Sequence, residues 1–447
     1  MATSSTDSIE SQITWREMVP VVCASTIGTA IEWYDFFLYG FLAVTIFSRL
    51  FFPTLDPIAG TIAALTTNLV GFVARPFGGA FFGWFGDRVG RKSTLVSTLL
   101  LMGLATMLMG ALPGYASIGI AAPVLLAVLR FLQGVGIGGE WGGSILLSME
   151  YGDDRHRGFW ASWPQTGVPL GVIFGALAVL LFQQLYPGDA FLSVGWRMPF
   201  FLSSILVIVG LYIRLRILET PVFSRLKEQQ DLSKAPLFEV LRYNWREIVL
   251  SALIRSAETG PFYIFTTFVL TYGVEVGKLN LTLLYTSIAC SSAVAFIMIP
   301  TFSFLSDYVG RKLWYSIGTV LMAAFAFPYF FLMETQNSAL VIVGGILSLG
   351  ICFAWLYGPE AALIAERFRA RVRYSGSSLG YQLASITAGG PTPIIATYLL
   401  ENHNQFGSTI ISGAPSSMLI ALYMIAMSLI SLVAVQFLKE YTGKPAA

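Results

Sequence analysis

Across 447 residues the chain is 55 % apolar and only 12 % charged, with a mean hydropathy of +0.70, which excludes an ordinary soluble domain, where about a quarter of residues are charged. A net charge of +2 gives no reason to expect nucleic acid as a partner. The three cysteines, Cys23, Cys290 and Cys352, each sit alone in an apolar run, so neither a disulfide framework nor a metal site follows.

The first fourteen residues are polar and Ser/Thr-rich, without a basic segment or cleavage site, and read as a cytoplasmic tail rather than a signal peptide. Apolar runs long enough to cross a bilayer follow at about 19–43, 58–85, 93–112, 118–149, 158–186 and 197–217. A second six fall at about 247–273, 281–305, 313–333, 338–365, 375–400 and 415–438. Between the sets lies a polar stretch with Arg225, Lys227, Glu228, Lys234, Arg242 and Arg246. The expected organisation is a tail (1–18), a six-helix half (19–217), a cytoplasmic linker (218–246), a second six-helix half (247–438) and a tail (439–447). This predicts an all-α membrane protein of twelve transmembrane helices in two pseudo-symmetric bundles.

Of the 27 Lys and Arg residues, only Arg49, Arg197 and Lys278 fall on one side of these spans, and Arg75, Arg130 and Arg255 fall within them. All the others, Arg214 and Arg216 included, gather on the side that holds both termini and the linker. The positive-inside rule makes that side cytoplasmic.

The chain also repeats itself at an offset of 220 residues. Gly83-Trp84-Phe85-Gly86-Asp87-Arg88-Val89-Gly90-Arg91-Lys92 aligns with Ser303-Phe304-Leu305-Ser306-Asp307-Tyr308-Val309-Gly310-Arg311-Lys312, each copy expected in a turn after the second span of its half. A second echo sets Glu150 and Arg157 against Glu366 and Arg373, between the fourth and fifth spans. Together these loops predict a cytoplasmic latch. Gly90 and Gly310 allow the tight turn, while Asp87 and Asp307 accept from a helix N-terminus or an Arg. Arg91 and Arg311 clamp Glu150 and Glu366, with Arg88, Arg157 and Arg373 as further members. Ser303 and Tyr308 depart from the first copy, which predicts a weaker second clamp.

These motifs resemble the major facilitator superfamily over essentially the whole length. More narrowly the chain is similar to the metabolite:proton symporter family, which includes shikimate, α-ketoglutarate, citrate and proline/betaine transporters. The residues that carry this are Glu32-Trp33-Tyr34-Asp35-Phe36-Phe37-Leu38-Tyr39-Gly40, Arg75-Pro76-Phe77-Gly78-Gly79, Arg130-Phe131-Leu132-Gln133-Gly134 with Gly138-Gly139-Glu140-Trp141-Gly142-Gly143, and Arg373-Tyr374-Ser375-Gly376-Ser377-Ser378-Leu379-Gly380-Tyr381-Gln382. The resemblance implies that spans 1, 4, 7 and 10 surround one central cavity.

An ionisable residue at a helix centre costs about 2.5–3.5 kcal/mol on insertion scales, so those inside spans are functional candidates by default. Asp35 and Arg130 are expected to form the proton-coupling pair, with Glu32 as the alternative carrier; the only histidines, His156 and His403, lie in loops. Arg75 and Arg255 are candidate clamps for a substrate carboxylate, and Glu258 would neutralise Arg255 or meet the ammonium of a zwitterion. Gln133, Trp163, Gln165, Tyr263, Tyr357, Glu360, Tyr381 and Gln382 are candidates for the rest of the site, Glu360 also as a second proton site. Close helix approach is expected along Gly134-Val135-Gly136-Ile137-Gly138-Gly139.

The expected function is proton-coupled symport of a small organic carboxylate or zwitterion by alternating access, in a plasma-membrane monomer with both termini cytoplasmic and no cofactor. The alternatives are a proton-coupled antiporter, which Gly167-Val168-Pro169-Leu170-Gly171 suggests only loosely, and a transporter-like nutrient sensor. No phosphate-binding loop of an ATP-driven pump is present in the sequence.

Overall fold

Long apolar segments in lipid must satisfy their backbone groups internally, and these do so by closing into helices. The structure, a computed structural model, describes residues 15–153, 155–216, 224, 227–228, 236–402 and 415–442. The first part of the N-terminal tail, Arg225 and Lys234 of the linker, His403 and Lys444 lie outside the described residues.

The first half comprises α1 (Trp15–Leu42), α2 (Pro57–Arg88), α3 (Arg91–Ala111), α4 (Ala121–Tyr151), α5 (Arg157–Leu185) and α6 (Met198–Arg216). A short linker helix, Pro236–Tyr243, precedes the second half. There α7 comes in pieces (Trp245–Ile254, Ser256–Tyr263 and Val269–Glu275), followed by α8 (Leu281–Val309), α9 (Arg311–Glu334) and α10 (Ser338–Ala365). Next come α11, in two pieces (Arg373–Ala384 and Pro391–Glu401), and α12 (Met418–Gln436). Among the described residues, 9 helices are individually long and apolar enough to span a bilayer, and α1 makes a tenth with its continuation, bent by 43°. Three helices fall short alone: α1, α2 and α7. They carry Glu32 and Asp35, Arg75, and Arg255 and Glu258, so the dilution of their apolar character is itself a pointer to the site.

The halves meet through two equivalent pairs, α2 with α11 and α5 with α8. Each half also widens its first helix at the same place, into π-helical turns at Ala43–Phe47 and Ile264–Phe268. Such turns free backbone groups and concentrate at functional positions. In the first half α2 packs on α4 backbone to backbone. A Cβ at Gly134 would lie 2.1 Å from the Gly71 carbonyl oxygen, and one at Gly138 would lie 2.1 Å from that of Arg75. Only glycine allows this approach, which sets Arg75 and Arg130 in one layer.

The repeated motif differs in one detail from its sequence reading. Asp87 and Asp307 stand in the last turns of α2 and α8, not in the connecting turns. The reversals themselves are made by Gly90 (φ 131°) and Gly310 (φ 99°), in backbone conformations that side chains disfavour.

Candidate functional site

At the centre of the molecule Phe36 of α1 packs against both guanidiniums. Arg75 Cζ lies 4.1 Å and Arg130 Cζ 4.0 Å from its ring centroid. Arg75 also faces the rings of Trp33 at 5.1 Å and Phe72 at 4.6 Å. It is 2 % exposed, and its Nε and Nη2 make no hydrogen bond. Across the half interface Tyr263 of α7 sets its ring 4.9 Å from that of Phe72, with its hydroxyl beside Arg75. Glu258 is within electrostatic range of the same guanidinium. Aromatic faces stabilise a buried cation, but they leave its donors free.

Arg130 is fully buried and donates to two neutral amides, the side-chain oxygens of Gln133 and Asn68. The Tyr39 ring lies 4.3 Å away. Asp35 does not reach it. The Asp35 carboxyl points toward Thr106 of α3 and Ser203 of α6, and neither oxygen has a hydrogen-bond partner. Thr106 gives its proton to the Met102 carbonyl at 3.0 Å and receives the Gln133 amide at 2.7 Å. The expected Asp35–Arg130 pair is therefore absent in this conformation, and the reason is helical geometry. One residue turns a helix by about 100°, so Phe36, not Asp35, occupies the face of α1 toward Arg130.

Glu32 lies elsewhere again, 3.0 Å from Nη2 of Arg214, and the same nitrogen is 2.7 Å from Glu140. Arg214, counted from sequence among the basic loop residues, is in fact buried between α1, α3 and α4. It sits near the end of an apolar run, where span prediction assigns basic residues to the loop. The available signal was two acids, Glu32 and Glu140, that lacked an assigned cation in their half.

In the second half Arg255 is already saturated. It bonds Glu360 (2.7 Å), Glu258 (3.1 Å) and the Tyr381 carbonyl (2.5 Å), and its Cζ lies 3.4 Å from the Tyr381 ring centroid. Thr259 donates to Glu258 at 2.5 Å, and Tyr315 lies 3.3 Å from Glu360. The expectation of Arg255 as a free clamp fails here because its fork is filled by two carboxylates. Of the two candidate clamps, only Arg75 keeps open donors.

Several expected pocket residues instead close the molecule toward its basic end. Trp141 stacks on Tyr381 at 3.7 Å and donates to Gln165, whose amide bonds the Tyr357 carbonyl at 3.1 Å. Tyr357 and Tyr381 join hydroxyls at 3.1 Å, and Gln382 reaches the Gly138 carbonyl at 3.3 Å. Trp163 packs with Phe159 and the cluster of Met18, Val22 and Trp160, toward the basic end.

Below this seal the repeated motifs cross the interface reciprocally. Asp87 accepts from the Ser375 backbone (3.0 Å) and hydroxyl (2.7 Å) at the N-terminus of α11. Asp307 accepts from Gly158 (3.1 Å) and Phe159 (3.0 Å) at the N-terminus of α5. Each acid thus caps a helix of the opposite half, where the helix dipole favours a negative charge. A Cβ at Gly83 would lie 2.9 Å from Ser375 Cα, so glycine is needed for this contact. Within each half Arg91 lies 3.7 Å from Asp87 and 3.6 Å from Glu150, and Arg311 lies 2.5 Å from Asp307 and 2.8 Å from Glu366. The second clamp is the shorter, against expectation: neither Ser303 nor Tyr308 takes part in these pairs. Tyr308 instead bonds His156 across the interface at 3.0 Å. Arg157 is within electrostatic range of Glu366, and Arg373 of Glu150, so the Glu and Arg pairs also exchange across the halves. Arg88 stands exposed over Trp84, outside the latch. In the loop beside it, partial burial raises the Asp153 carboxyl, but bonds from Trp160 and His156 outweigh this and hold it below the usual carboxylate range.

The opposite end is looser. Phe37 against Phe262 (5.5 Å) and Phe41 against Tyr285 (5.4 Å) separate the centre from a cleft of about 540 Å³. That cleft is lined by Arg49, Asp56, Thr271, Glu275 and neighbours from both halves.

This architecture, two helical halves with buried charge at their seam, defines a multi-pass membrane transporter. Residues 25–390 match the Major Facilitator Superfamily, and the chain belongs to that family, whose members move solutes rather than transform them. It is 41 % identical over 425 residues to the inner membrane metabolite transport protein YhjE of Escherichia coli, covering 94 % of each chain. It is 37 % identical over 412 residues to the shikimate transporter of Escherichia coli, covering 90 % of this chain and 93 % of that one. The proline/betaine transporter of Salmonella typhimurium is 32 % identical over 440 residues, with 95 % and 84 % covered. Among solved structures, the proton:xylose symporter XylE shares the fold, with a TM-score of 0.69 at 17 % identity over 96 % of this chain and 97 % of that one.

Proposed function

We propose that the protein carries a small organic carboxylate or zwitterion together with a proton, across a cytoplasmic membrane in which its basic end faces the cytoplasm. The observation that carries this reading is Arg75: a guanidinium buried at the seam of the halves, held by aromatic faces, with two nitrogens unbonded. A planar fork of free donors suits a carboxylate. Sequence similarity to transporters of shikimate and of proline and betaine supports the substrate class.

Charge arithmetic links this site to the proton. The central layer holds Arg75, Arg130 and Arg255 against Glu258, Glu360 and Asp35. An ionised carboxylate buried without a cation, as Asp35 is, carries a large desolvation cost. With a proton on Asp35 the layer has one uncompensated positive charge, which a substrate monocarboxylate neutralises. Proton and substrate then bind together, and neither is favoured alone. The test is a thermal-shift screen of purified protein against shikimate, 2-oxoglutarate, citrate, proline, glycine betaine and xylose at two pH values. At least one carboxylate should stabilise, more strongly at the lower pH, and xylose should not. Stabilisation by xylose alone, or by a carboxylate more strongly at the higher pH, would refute the reading.

In this reading the closed basic end and the cleft at the other end make an outward-facing, nearly occluded state, and the reciprocal Asp caps are its latch. Removing one cap deletes charge-assisted bonds that contribute about 1.5–3 kcal/mol. Asp87→Ala should therefore speed labelling of a cysteine placed at Ser378, with Cys23 and Cys290 replaced by serine, by about tenfold. Unchanged labelling would remove the latch from the account.

A further inference from the structure

Glu32, Glu140 and Arg214 form a cluster that the central site does not use. One guanidinium nitrogen, Nη2 of Arg214, is 2.7 Å from Glu140 Oε1 and 3.0 Å from Glu32 Oε1. The other, Nη1, donates to the Leu95 carbonyl instead of to an acid. Ser144 adds a bond to Glu140 Oε1 at 2.6 Å and Thr29 one at 3.3 Å, whereas both oxygens of Glu32 and Oε2 of Glu140 have no hydrogen-bond partner. All three side chains are 1–2 % exposed.

Two carboxylates against one cation leave a net negative charge in a space closed to water. Two acids brought together on one site do not both ionise; one proton makes the cluster neutral and supplies a donor where carboxylate oxygens lack one. We propose that Glu32 and Glu140 share one proton over Arg214, forming a second proton-binding site distinct from Asp35.

Its cover comes from the other half. The Tyr374 hydroxyl of α11 donates to the Gly139 carbonyl at 2.7 Å, and a Cβ at Gly142 would meet Ser378 Oγ at 2.0 Å, so α11 lies directly on the α4 segment that holds Glu140. The groups facing the cluster are thus Glu32 from α1, Glu140 from α4, Arg214 from α6 and the Tyr374 hydroxyl from α11. Tyr374 has Arg91 and Asp87 as its own charged neighbours. When α11 parts from α4, the cluster opens toward the basic end. The shared proton therefore exchanges with that side, whereas the Asp35 carboxyl, one turn further along α1, faces Thr106 and Ser203 instead of Arg214.

The experiment is infrared spectroscopy of the purified full chain, labelled with 13C-glutamate so that neutral glutamate carboxyls separate from Asp35. A neutral glutamate carboxyl band is expected, lost in both Glu32→Gln and Glu140→Gln and retained in Asp35→Asn and Glu360→Gln. Persistence of the band in both amide variants overturns the proposal. Should an amide variant fail to fold, Ser144→Ala removes a donor that favours the ionised acid, and it should raise the band's titration midpoint by about one pH unit; an unmoved midpoint overturns the proposal equally. Because Asp35→Asn is read separately, failure here leaves the central coupling site standing, and failure there leaves this one.

Discussion

Arg75→Gln is expected to weaken binding of a carboxylate substrate by roughly thirtyfold or more, since truncating one partner of a buried charge pair costs about 2–5 kcal/mol. Arg75→Lys keeps the charge but loses the fork, and should retain part of the affinity. The same glutamine variant should be more heat-stable than the parent without substrate, because it removes a buried cation whose Nε and Nη2 are unbonded. The paired outcome matters. A variant that loses both affinity and stability would mark Arg75 as a structural residue, whereas lost affinity with gained stability marks a binding residue. Isothermal titration and thermal unfolding of the two variants decide between them.

Asp35→Asn should abolish uphill accumulation and leave substrate exchange in place. Asparagine resembles the protonated acid in shape and charge, so the variant is fixed in the state that admits a carboxylate. Its binding should also lose the pH dependence of the parent, because the proton that binding requires no longer has to be taken up. Full proton-driven accumulation in Asp35→Asn would place the coupled proton on another group. The cluster of Glu32, Glu140 and Arg214 would then be the first to examine.

The fold was legible in sequence because hydrophobic length and the distribution of Lys and Arg are one-dimensional signals. The repeat was legible for a related reason: Asp87 and Asp307 sit at equivalent helix ends, so the same local chemistry recurs at one offset. Pairings between helices were not legible. Asp35 and Arg130 are each fully buried, but a rotation of one residue along α1 gives the face toward Arg130 to Phe36. Arg214 looked like a loop cation by its place near a span end, while Gly28 leaves room for its guanidinium against α1. Gln165, Tyr357, Tyr381 and Gln382 read from sequence as candidates for lining the substrate site, and in this conformation they bond to each other or to facing backbone. Periodicity tells which face of a helix is inside; it does not tell which helix the face meets.

The most direct test of coupled transport is uptake of the stabilising carboxylate into proteoliposomes, with and without an inward proton gradient. Coupled transport predicts accumulation above the external concentration only when the gradient is present, and its collapse when the gradient is dissipated. Equal equilibrium levels under both conditions would contradict it.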